Sequence, residues 1–236
     1  TAVSVRLSDV TIDIAMRVLD PGWNRARWEQ LPDDGNRYEV IDEVLYVSTT
    51  PSLFHQWICR QLFRLMTRQI DDLGLGTTWM GLGVFMPGCD PVEPDLVVVR
   101  NDQRELLQKR IEGVPALIVE VISPSHPDLD QAVKYAAYAR AGLPEYWMIR
   151  PARREVSVCW QPSGDSYLQT RTFAESEELA RHRQAEIAEA APGAVVAVEA
   201  DDGVAAELLE ALRQAERLDV AAMRVKPDAH TADAPR

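Results

Sequence analysis

Residues 92–100 read VEPDLVVVR and residues 115–125 read PALIVEVISPS. Both segments contain nearly continuous runs of Val, Leu and Ile, a pattern typical of strands that are buried on both faces of a sheet. Each segment also places a carboxylate against its apolar run: Asp95 directly before the first run and Glu120 inside the second. The two segments therefore predict a pair of central strands, each with an acidic side chain.

The position of Glu120 is unusual because apolar residues stand on both sides of it. An ionised carboxylate in apolar surroundings costs several kcal/mol unless it is paired or binds a metal ion. Asp95 and Glu120 hold comparable positions on their strands, and adjacent strands would let them share one divalent cation. Mg²⁺ is commonly bound by one or two carboxylates together with waters and substrate phosphate, so the pattern predicts a metal site at these two residues.

The flanking segments predict a mixed succession of strands and helices. Residues 37–48, RYEVIDEVLYVS, contain two short β runs around Asp42-Glu43 and indicate a hairpin, although two-residue hairpin turns favour Asp-Gly. The remaining predicted elements are helices over residues 52–72 and 127–141, a strand over residues 77–86, a helical insert over residues 101–112 and three strands within residues 143–173.

A lysine in the second predicted helix is a third candidate for this site. Lys134 stands four residues after Asp130 and four before Tyr138, so the three side chains share one face of helix 127–141. An ammonium group beside a metal site can activate water or stabilise the negative charge that develops on a phosphate. An exposed Asp130–Lys134 ion pair, worth a few tenths of a kcal/mol, explains the spacing equally well. The residues alone leave both interpretations open.

Two other sets of polar residues fit structural roles better than catalytic ones. Arg60, Arg64 and Arg68 form a basic stripe along helix 52–72, which we interpret as a solvated face rather than a phosphate-binding surface. His55 stands alone near the start of that helix, where capping or packing is the favoured role.

Composition excludes several classes of protein. The net charge of −12 argues against a protein that coats DNA through bulk electrostatics, but it says nothing about a local site. Cys59, Cys89 and Cys159 form no C-x-x-C pair, so we expect reduced, buried thiols rather than a zinc site or disulfides. No segment approaches the roughly 18 consecutive apolar residues of a membrane span, and charged residues interrupt any signal-peptide core near the start. We therefore expect a cytoplasmic protein without membrane spans.

Four blocks of this sequence together resemble one protein family. The blocks are RYEVIDEVLYVSTTPSLFHQ (37–56), VEPDLVVV (92–99), PALIVEVISPS (115–125) and DQAVKYAAYARAGLPEYWMI (130–149). In this order they resemble the Uma-two family of "putative restriction endonucleases", which is placed in the PD-(D/E)xK nuclease superfamily. The resemblance implies a mixed α/β (α+β) fold of the restriction-endonuclease type, in which helices flank a central mixed β-sheet and the site lies at the edge of that sheet.

The resemblance also implies roles for the acidic residues and the lysine. Asp95 matches the Asp of the Pro-Asp motif and Glu120 the acidic residue that follows it, and both would bind Mg²⁺ or Mn²⁺. The superfamily's Lys would stand two positions after Glu120, where this chain has Ile122. In this family the Lys looks displaced to the next helix, which makes Lys134 the third catalytic candidate.

Two accessory residues follow from the same resemblance. Glu39 matches a recurrent Glu of the first hairpin, and Tyr138 matches a recurrent Tyr near the Lys. The chain departs from the family pattern at Glu43, which stands where the first hairpin turn usually has Gly.

We divide the chain into an N-terminal extension, a nuclease-like core domain, an Ala- and Glu-rich extension that is mostly helical, and a flexible tail: residues 1–27, 28–174, 175–218 and 219–236. The resulting hypothesis is a Mg²⁺-dependent endonuclease that hydrolyses DNA phosphodiester bonds and forms a homodimer, since exposed sheet edges need covering and two-fold dimers are common. The alternative is a non-catalytic nucleic-acid-binding or assembly module that retains the nuclease fold.

Overall fold

Two β-sheets and three α-helices make up the part of the chain that the structure, a computed structural model, describes: residues 16–17, 22–122 and 127–174. In chain order the strands are β1 (Met16–Arg17), β2 (Arg37–Ile41), β3 (Val44–Ser48), β4 (Gly76–Met80), β5 (Val84–Met86), β6 (Cys89–Val92), β7 (Leu96–Arg100), β8 (Ile111–Glu112), β9 (Leu117–Val121), β10 (Glu145–Arg150), β11 (Glu155–Ser163) and β12 (Ser166–Ala174). The helices are α1 (Arg25–Trp28), α2 (Leu53–Met66) and α3 (Pro127–Arg140).

The strands form two mixed sheets. In the central sheet the order is β12-β11-β10-β9-β7-β4, and in the hairpin sheet it is β1-β3-β2-β6-β5-β8. Within the central sheet β9 and β10 are parallel, and α3 supplies the crossover that parallel neighbours require. The predicted mixed α/β fold class is confirmed, and the structure adds the hairpin sheet to the predicted central sheet.

Both faces of the central sheet are covered, which explains the continuous apolar runs. Leu96 and Val98 of β7 pack in one core with α2, whereas Val97 and Val99 pack in a second core with α3 and the hairpin sheet. Alternate residues of a strand point to opposite faces, so a strand between two cores needs apolar residues at every position. The prediction of strands buried on both faces is confirmed.

Two predicted elements differ in the structure. The single strand predicted over residues 77–86 is wrong, because the chain forms β4 in the central sheet and β5 in the hairpin sheet. Gly81 lies between them at a φ of 61°, a backbone conformation that residues with a Cβ rarely adopt. The insert over residues 101–112 contains a 3₁₀ helix at Asn101–Leu106 and then β8.

The predicted helices agree closely with the structure. α2 begins after Ser52, whose side chain accepts a hydrogen bond from the backbone N–H of His55, and a π-helical turn at Thr67–Asp71 continues it. α3 begins at Pro127, and Gly142 follows its end at a φ of 80°, as expected for a glycine just beyond a helix.

The first hairpin forms despite its unfavourable turn residue. β2 and β3 pair from Arg37↔Ser48 to Ile41↔Val44, and the two turn residues both have positive φ, 49° at Asp42 and 62° at Glu43. This is the conformation that favours Gly at the second position. The two-residue turn therefore forms in this chain with Glu43 in a left-handed conformation.

Replacing Glu43 by Gly is expected to stabilise the protein. A left-handed conformation costs a residue with a Cβ about 1–2 kcal/mol, and the greater freedom of an unfolded glycine cancels about half of that gain. We expect Glu43→Gly to raise the free energy of unfolding in urea by up to about 1 kcal/mol. Glu43→Ala, which removes the carboxylate but keeps the strain, is the control. A Gly variant no more stable than the Ala variant would contradict the prediction.

Cys59, Cys89 and Cys159 are free and buried, as expected. Among the described residues, no helix has both the length and the hydrophobicity that a membrane crossing requires; the cytoplasmic location stays a prediction. The division into domains also stays a prediction, and residues 175–236 lie outside the described residues.

Candidate active site

Asp95 directly precedes β7, and Glu120 lies on β9, the antiparallel neighbour of β7 in the central sheet. β7 and β9 pair as Leu96↔Val119 and Val97↔Ile118, and one further step of this register brings Asp95 opposite Glu120. Their carboxylates contact different helices: Asp95 contacts His55 of α2, whereas Glu120 contacts Lys134 of α3. Both side chains are buried, with 5% of each residue exposed.

Asp95 is held by groups from three different elements. The backbone N–H of Val121 donates to Oδ2 at 2.8 Å, and His55 Nε2 lies 3.2 Å from the same oxygen. Nε2 is also 3.1 Å from the Val121 carbonyl oxygen; since both partners are acceptors, Nε2 carries a proton. On the other side, an Arg37 guanidinium nitrogen lies 3.4 Å from Oδ1.

Glu120 is held by two residues of α3. Lys134 Nζ donates to Glu120 Oε1 at 3.1 Å, and the Tyr138 hydroxyl donates to the same oxygen at 2.9 Å. Lys134 Nζ also lies 2.9 Å from Glu39 Oε1 of β2, which in turn accepts from the backbone N–H of Glu93 at 2.8 Å. Direct contacts thus join four of the five residues that the sequence singled out, and Asp95 lies near Glu120 through the pairing of β7 with β9.

The approach of Lys134 depends on which face α3 turns inward. Lys134, Ala137, Tyr138 and Ala141 follow the i, i+3, i+4, i+7 spacing of one helix face, and all four are buried. A lysine that is 6% exposed does not belong to a solvated helix surface. Of the two interpretations of the spacing, the structure therefore favours the one that places Lys134 beside the carboxylates.

The pKa values of Asp95 and Glu120 are shifted in opposite directions. Burial raises the pKa of Asp95, but the hydrogen bond and charge of His55, the charge of Arg37 and the Val121 amide outweigh it and bring it to about 2. Burial also raises the pKa of Glu120, and the charges of Asp95 and Glu39 add to this, so that Lys134 only partly offsets the rise to about 7. One carboxylate of the pair is well neutralised and the other is not.

Two residues of the site, His55 and Arg37, were not predicted from the sequence. His55 was assigned to capping or packing; its backbone N–H is capped by Ser52, but its side chain contacts Asp95. Burial lowers the pKa of His55, and the hydrogen bond and charge of Asp95 outweigh this and raise it. Arg37 precedes Glu39 by two positions on β2, so the period of a strand places both on one side; this signal was available once Glu39 was a candidate.

The basic stripe of α2 lies away from the site. His55 and Cys59 of α2 face Asp95, because ligand atoms of the three residues lie within 4.8 Å of one another. Arg60 and Arg64 are exposed, and at about 100° per residue they point to the opposite side of the helix from His55. The interpretation of the stripe as a solvated face agrees with this placement.

Two groups of side chains could hold a metal ion. Ligand atoms of His55, Cys59 and Asp95 lie within 4.8 Å of one another. Burial raises the pKa of the Cys59 thiol, whereas a metal requires a thiolate and an unprotonated imidazole nitrogen. His55 is also engaged by Asp95 and Val121, so this group fits a cation poorly.

The Asp95–Glu120 pair fits a hard divalent cation better. Carboxylate oxygens are the ligands that Mg²⁺ and Mn²⁺ prefer, and a pKa near 7 marks Glu120 as a buried carboxylate that lacks enough positive charge. Among the described residues, the site's carboxylates outnumber its arginine and lysine side chains: Glu39, Glu93, Asp95 and Glu120 against Arg37 and Lys134. A divalent cation would offset this excess.

Comparisons with known proteins agree with the resemblance noted in the sequence. The fold is similar to the crystal structure of a protein from Anabaena variabilis that is described as a putative nuclease belonging to DUF820. The TM-score is 0.59 at 16% sequence identity, and the match covers 80% of this chain and 99% of the other, which establishes similarity of fold. No curated protein matches the sequence. Residues 26–195 match the family described as "Uma2: Putative restriction endonuclease". The chain therefore belongs to the Uma2 family.

Proposed function

We propose that this chain is a metal-dependent endonuclease that hydrolyses phosphodiester bonds in DNA. The observation that carries the proposal is the arrangement of Asp95 opposite Glu120 on two buried strands, with the Lys134 ammonium 3.1 Å from Glu120. Membership of the Uma2 family supports the nuclease class. Two opposed carboxylates with an adjacent ammonium are the components that metal-assisted phosphodiester hydrolysis needs.

Asp95 and Glu120 are the proposed ligands of Mg²⁺ or Mn²⁺. A divalent cation bound there supplies Lewis-acid polarisation of a phosphate oxygen and lowers the pKa of an attacking water. The chain's own part is to hold both carboxylates in place before substrate arrives. The Val121 N–H and His55 fix Asp95, and Lys134 with Tyr138 fixes Glu120 through Oε1.

Lys134 is the proposed third catalytic residue, in place of the lysine that the PD-(D/E)xK pattern would put at Ile122. Its ammonium is buried beside Glu120 and Glu39, where the low dielectric strengthens its attraction for negative charge that develops on a phosphate. Glu39 is the accessory residue that positions this ammonium, and Tyr138 positions Glu120.

A non-catalytic nucleic-acid-binding or assembly module is the alternative, and the net charge of −12 favours it. The loss of folding stability caused by the buried charges of the site argues against this alternative. Keeping charged groups buried is often less stabilising than apolar packing of similar volume, so the buried Glu120, Glu39 and Lys134 favour a catalytic role over a purely structural one.

A cleavage assay with a matched variant tests the proposed function. Supercoiled, linear and single-stranded DNA are incubated with the protein in Mg²⁺, in Mn²⁺ and in EDTA. We expect cleavage of at least one DNA form with a metal and none in EDTA. Asp95→Asn, which keeps the shape of the side chain but removes its charge, should abolish cleavage.

The control is Asp102→Asn, which removes a carboxylate at an exposed position where Asp102 pairs with Arg100. It should cleave as the wild type does. Failure of the wild type to cleave any DNA form with either metal would contradict the proposal, as would equal activity of the Asp95 variant. The non-catalytic module would then be the better description.

The quaternary structure and the substrate stay predictions. We expect a homodimer, because β12 is a nine-residue strand at the edge of the central sheet and pairs there only with β11 among the described residues. DNA is the expected partner because the family is described as one of restriction endonucleases.

A further inference from the structure

Arg37 is the most exposed basic side chain that contacts the acidic cluster, which consists of Glu39, Glu93, Asp95 and Glu120. It lies on β2, with 25% of its side chain exposed, against 8% for Lys134 and 3% for Asp95. Its guanidinium lies 3.4 Å from Asp95 Oδ1 and 3.9 Å from Glu93 Oε2. Arg37 therefore stands between the buried carboxylates and solvent.

The contacts of Arg37 are long for an arginine among carboxylates. Charge-assisted N–H···O bonds are normally about 2.7–2.9 Å and often form in parallel pairs. Arg25 shows this geometry in the same protein, with 2.7 and 2.9 Å to the two oxygens of Glu112. Arg37 is thus attracted by the charge of the cluster without being locked to one carboxylate, which leaves guanidinium donors for another acceptor.

A divalent cation and Arg37 would compete for the same oxygens. Arg37 contacts Asp95 Oδ1, and Asp95 is one of the two proposed metal ligands. Like charges a few ångströms apart in a partly buried site repel each other strongly. A cation on Asp95 would therefore weaken the attraction between this carboxylate and the Arg37 guanidinium. The planar guanidinium matches the geometry of phosphate oxygens, so it could then bind a phosphate.

We propose that Arg37 binds a backbone phosphate of the nucleic-acid substrate and, without metal, serves as the counter-charge of Asp95. This inference rests on the proposed function. It assigns to one residue two effects of opposite sign: Arg37 opposes metal binding and favours phosphate binding. If Arg37 only supported the fold, its substitution would weaken both metal binding and phosphate binding.

Arg37→Met tests the inference because it keeps an unbranched aliphatic stem and removes the charged guanidinium. Metal affinity is measured by calorimetry with Mn²⁺ alone, and DNA affinity by fluorescence anisotropy with labelled duplex and single-stranded DNA in Ca²⁺. We expect Arg37→Met to bind Mn²⁺ about tenfold more tightly and DNA at least about tenfold more weakly, each corresponding to about 1.4 kcal/mol. Arg37→Lys keeps the charge but not the fork, so it should bind Mn²⁺ as the wild type does and DNA more weakly.

Arg100→Met is the matched control. Arg100 is exposed, pairs with Asp102, and lies at the far end of β7, about 16 Å from Asp95 at 3.3 Å per residue. Neither affinity should change in this variant. An equal loss of DNA binding in Arg37→Met and Arg100→Met would indicate non-specific electrostatic attraction and overturn the inference. Weaker Mn²⁺ binding in Arg37→Met would also overturn it. If Arg37→Met fails to fold, Arg37→Lys decides: DNA binding equal to that of the wild type overturns the inference.

These outcomes separate the inference from the proposed function. A wild type that cleaves DNA while Arg37→Met behaves like Arg100→Met would refute the role of Arg37 alone. A wild type that binds Mn²⁺ but cleaves no DNA would refute the proposed function, and the Mn²⁺ affinities would still show whether Arg37 competes with the metal. A wild type that does not bind DNA refutes the phosphate role.

Discussion

Lys134→Ala is expected to lower both the activity and the stability of the protein substantially. Cleavage of DNA should fall by about 10²-fold or more, a barrier increase of about 2.7 kcal/mol, while metal binding is largely kept. Because Nζ contacts both Glu39 and Glu120, its removal leaves two buried carboxylates without their shared cation. Breaking a buried pair in this way costs about 3–5 kcal/mol, which urea unfolding at pH 8 would measure.

Three further variants make this expectation specific. Lys109→Ala removes an exposed lysine and should leave activity and melting temperature unchanged. Lys134→Arg should not restore activity, because a planar guanidinium does not replace a compact ammonium. Adding Glu39→Gln to Lys134→Ala should recover part of the lost stability, since one of the unpaired charges is then absent. A Lys134→Ala protein as stable and as active as the wild type would contradict the assignment of Lys134.

Asp95→Asn and Glu120→Gln are expected to change stability in opposite directions, although both should abolish cleavage. In metal-free protein at pH 8, Asp95→Asn removes a carboxylate that the fold stabilises, since His55 and Arg37 bring its pKa to about 2 against the ordinary 3.8. Glu120→Gln removes one that the fold destabilises, since burial raises its pKa from 4.5 to about 7. We expect a loss of about 2–3 kcal/mol for the first and a gain of at most about 3–4 kcal/mol for the second, at about 1.4 kcal/mol per pKa unit.

The pH dependence of these differences follows from the direction of each shift. The stability contributed by Asp95 is present above its unfolded pKa of 3.8 and is lost as the pH falls through about 2, so the deficit of Asp95→Asn should shrink only at acid pH. Folded Glu120 holds its proton between pH 4.5 and about 7, so wild-type stability falls as the pH rises through this window. The advantage of Glu120→Gln should therefore be absent near pH 4 and complete above pH 7.

Urea unfolding of both variants in EDTA, from pH 4 to pH 8, measures these differences. A loss of stability at pH 8 in Glu120→Gln would contradict the view that Lys134 neutralises Glu120 incompletely. If Asp95→Asn lowers stability and Glu120→Gln raises it, then Glu120 is a destabilising carboxylate that becomes useful only when another cation binds. This outcome would favour the metal-dependent nuclease over the non-catalytic module, because burying a charge at a cost to stability needs a functional reason.

The sequence alone determined the central strands and the identity of the acidic pair. β7 and β9 are apolar at nearly every position because each lies between two cores, and this makes a single Glu inside such a run conspicuous. The resemblance of four blocks to the Uma2 family extended the candidates to Lys134, Glu39 and Tyr138. The strand, helix and family predictions are confirmed because they rest on local patterns, namely strand runs, helix ends and motif order, whereas the roles of the site residues stay predictions.

Only the tertiary structure decided what surrounds the pair. The spacing of Lys134 on α3 fits an exposed ion pair as well as a buried one, and the packing of α3 against β2 and the central sheet places Nζ between Glu39 and Glu120. His55 and Arg37 come within 3.4 Å of Asp95 from positions 40 and 58 residues away in the chain. The division of residues 77–86 between two sheets has the same origin. A periodic pattern records which face of an element is buried but not which distant element covers it, and that choice is made by long-range packing.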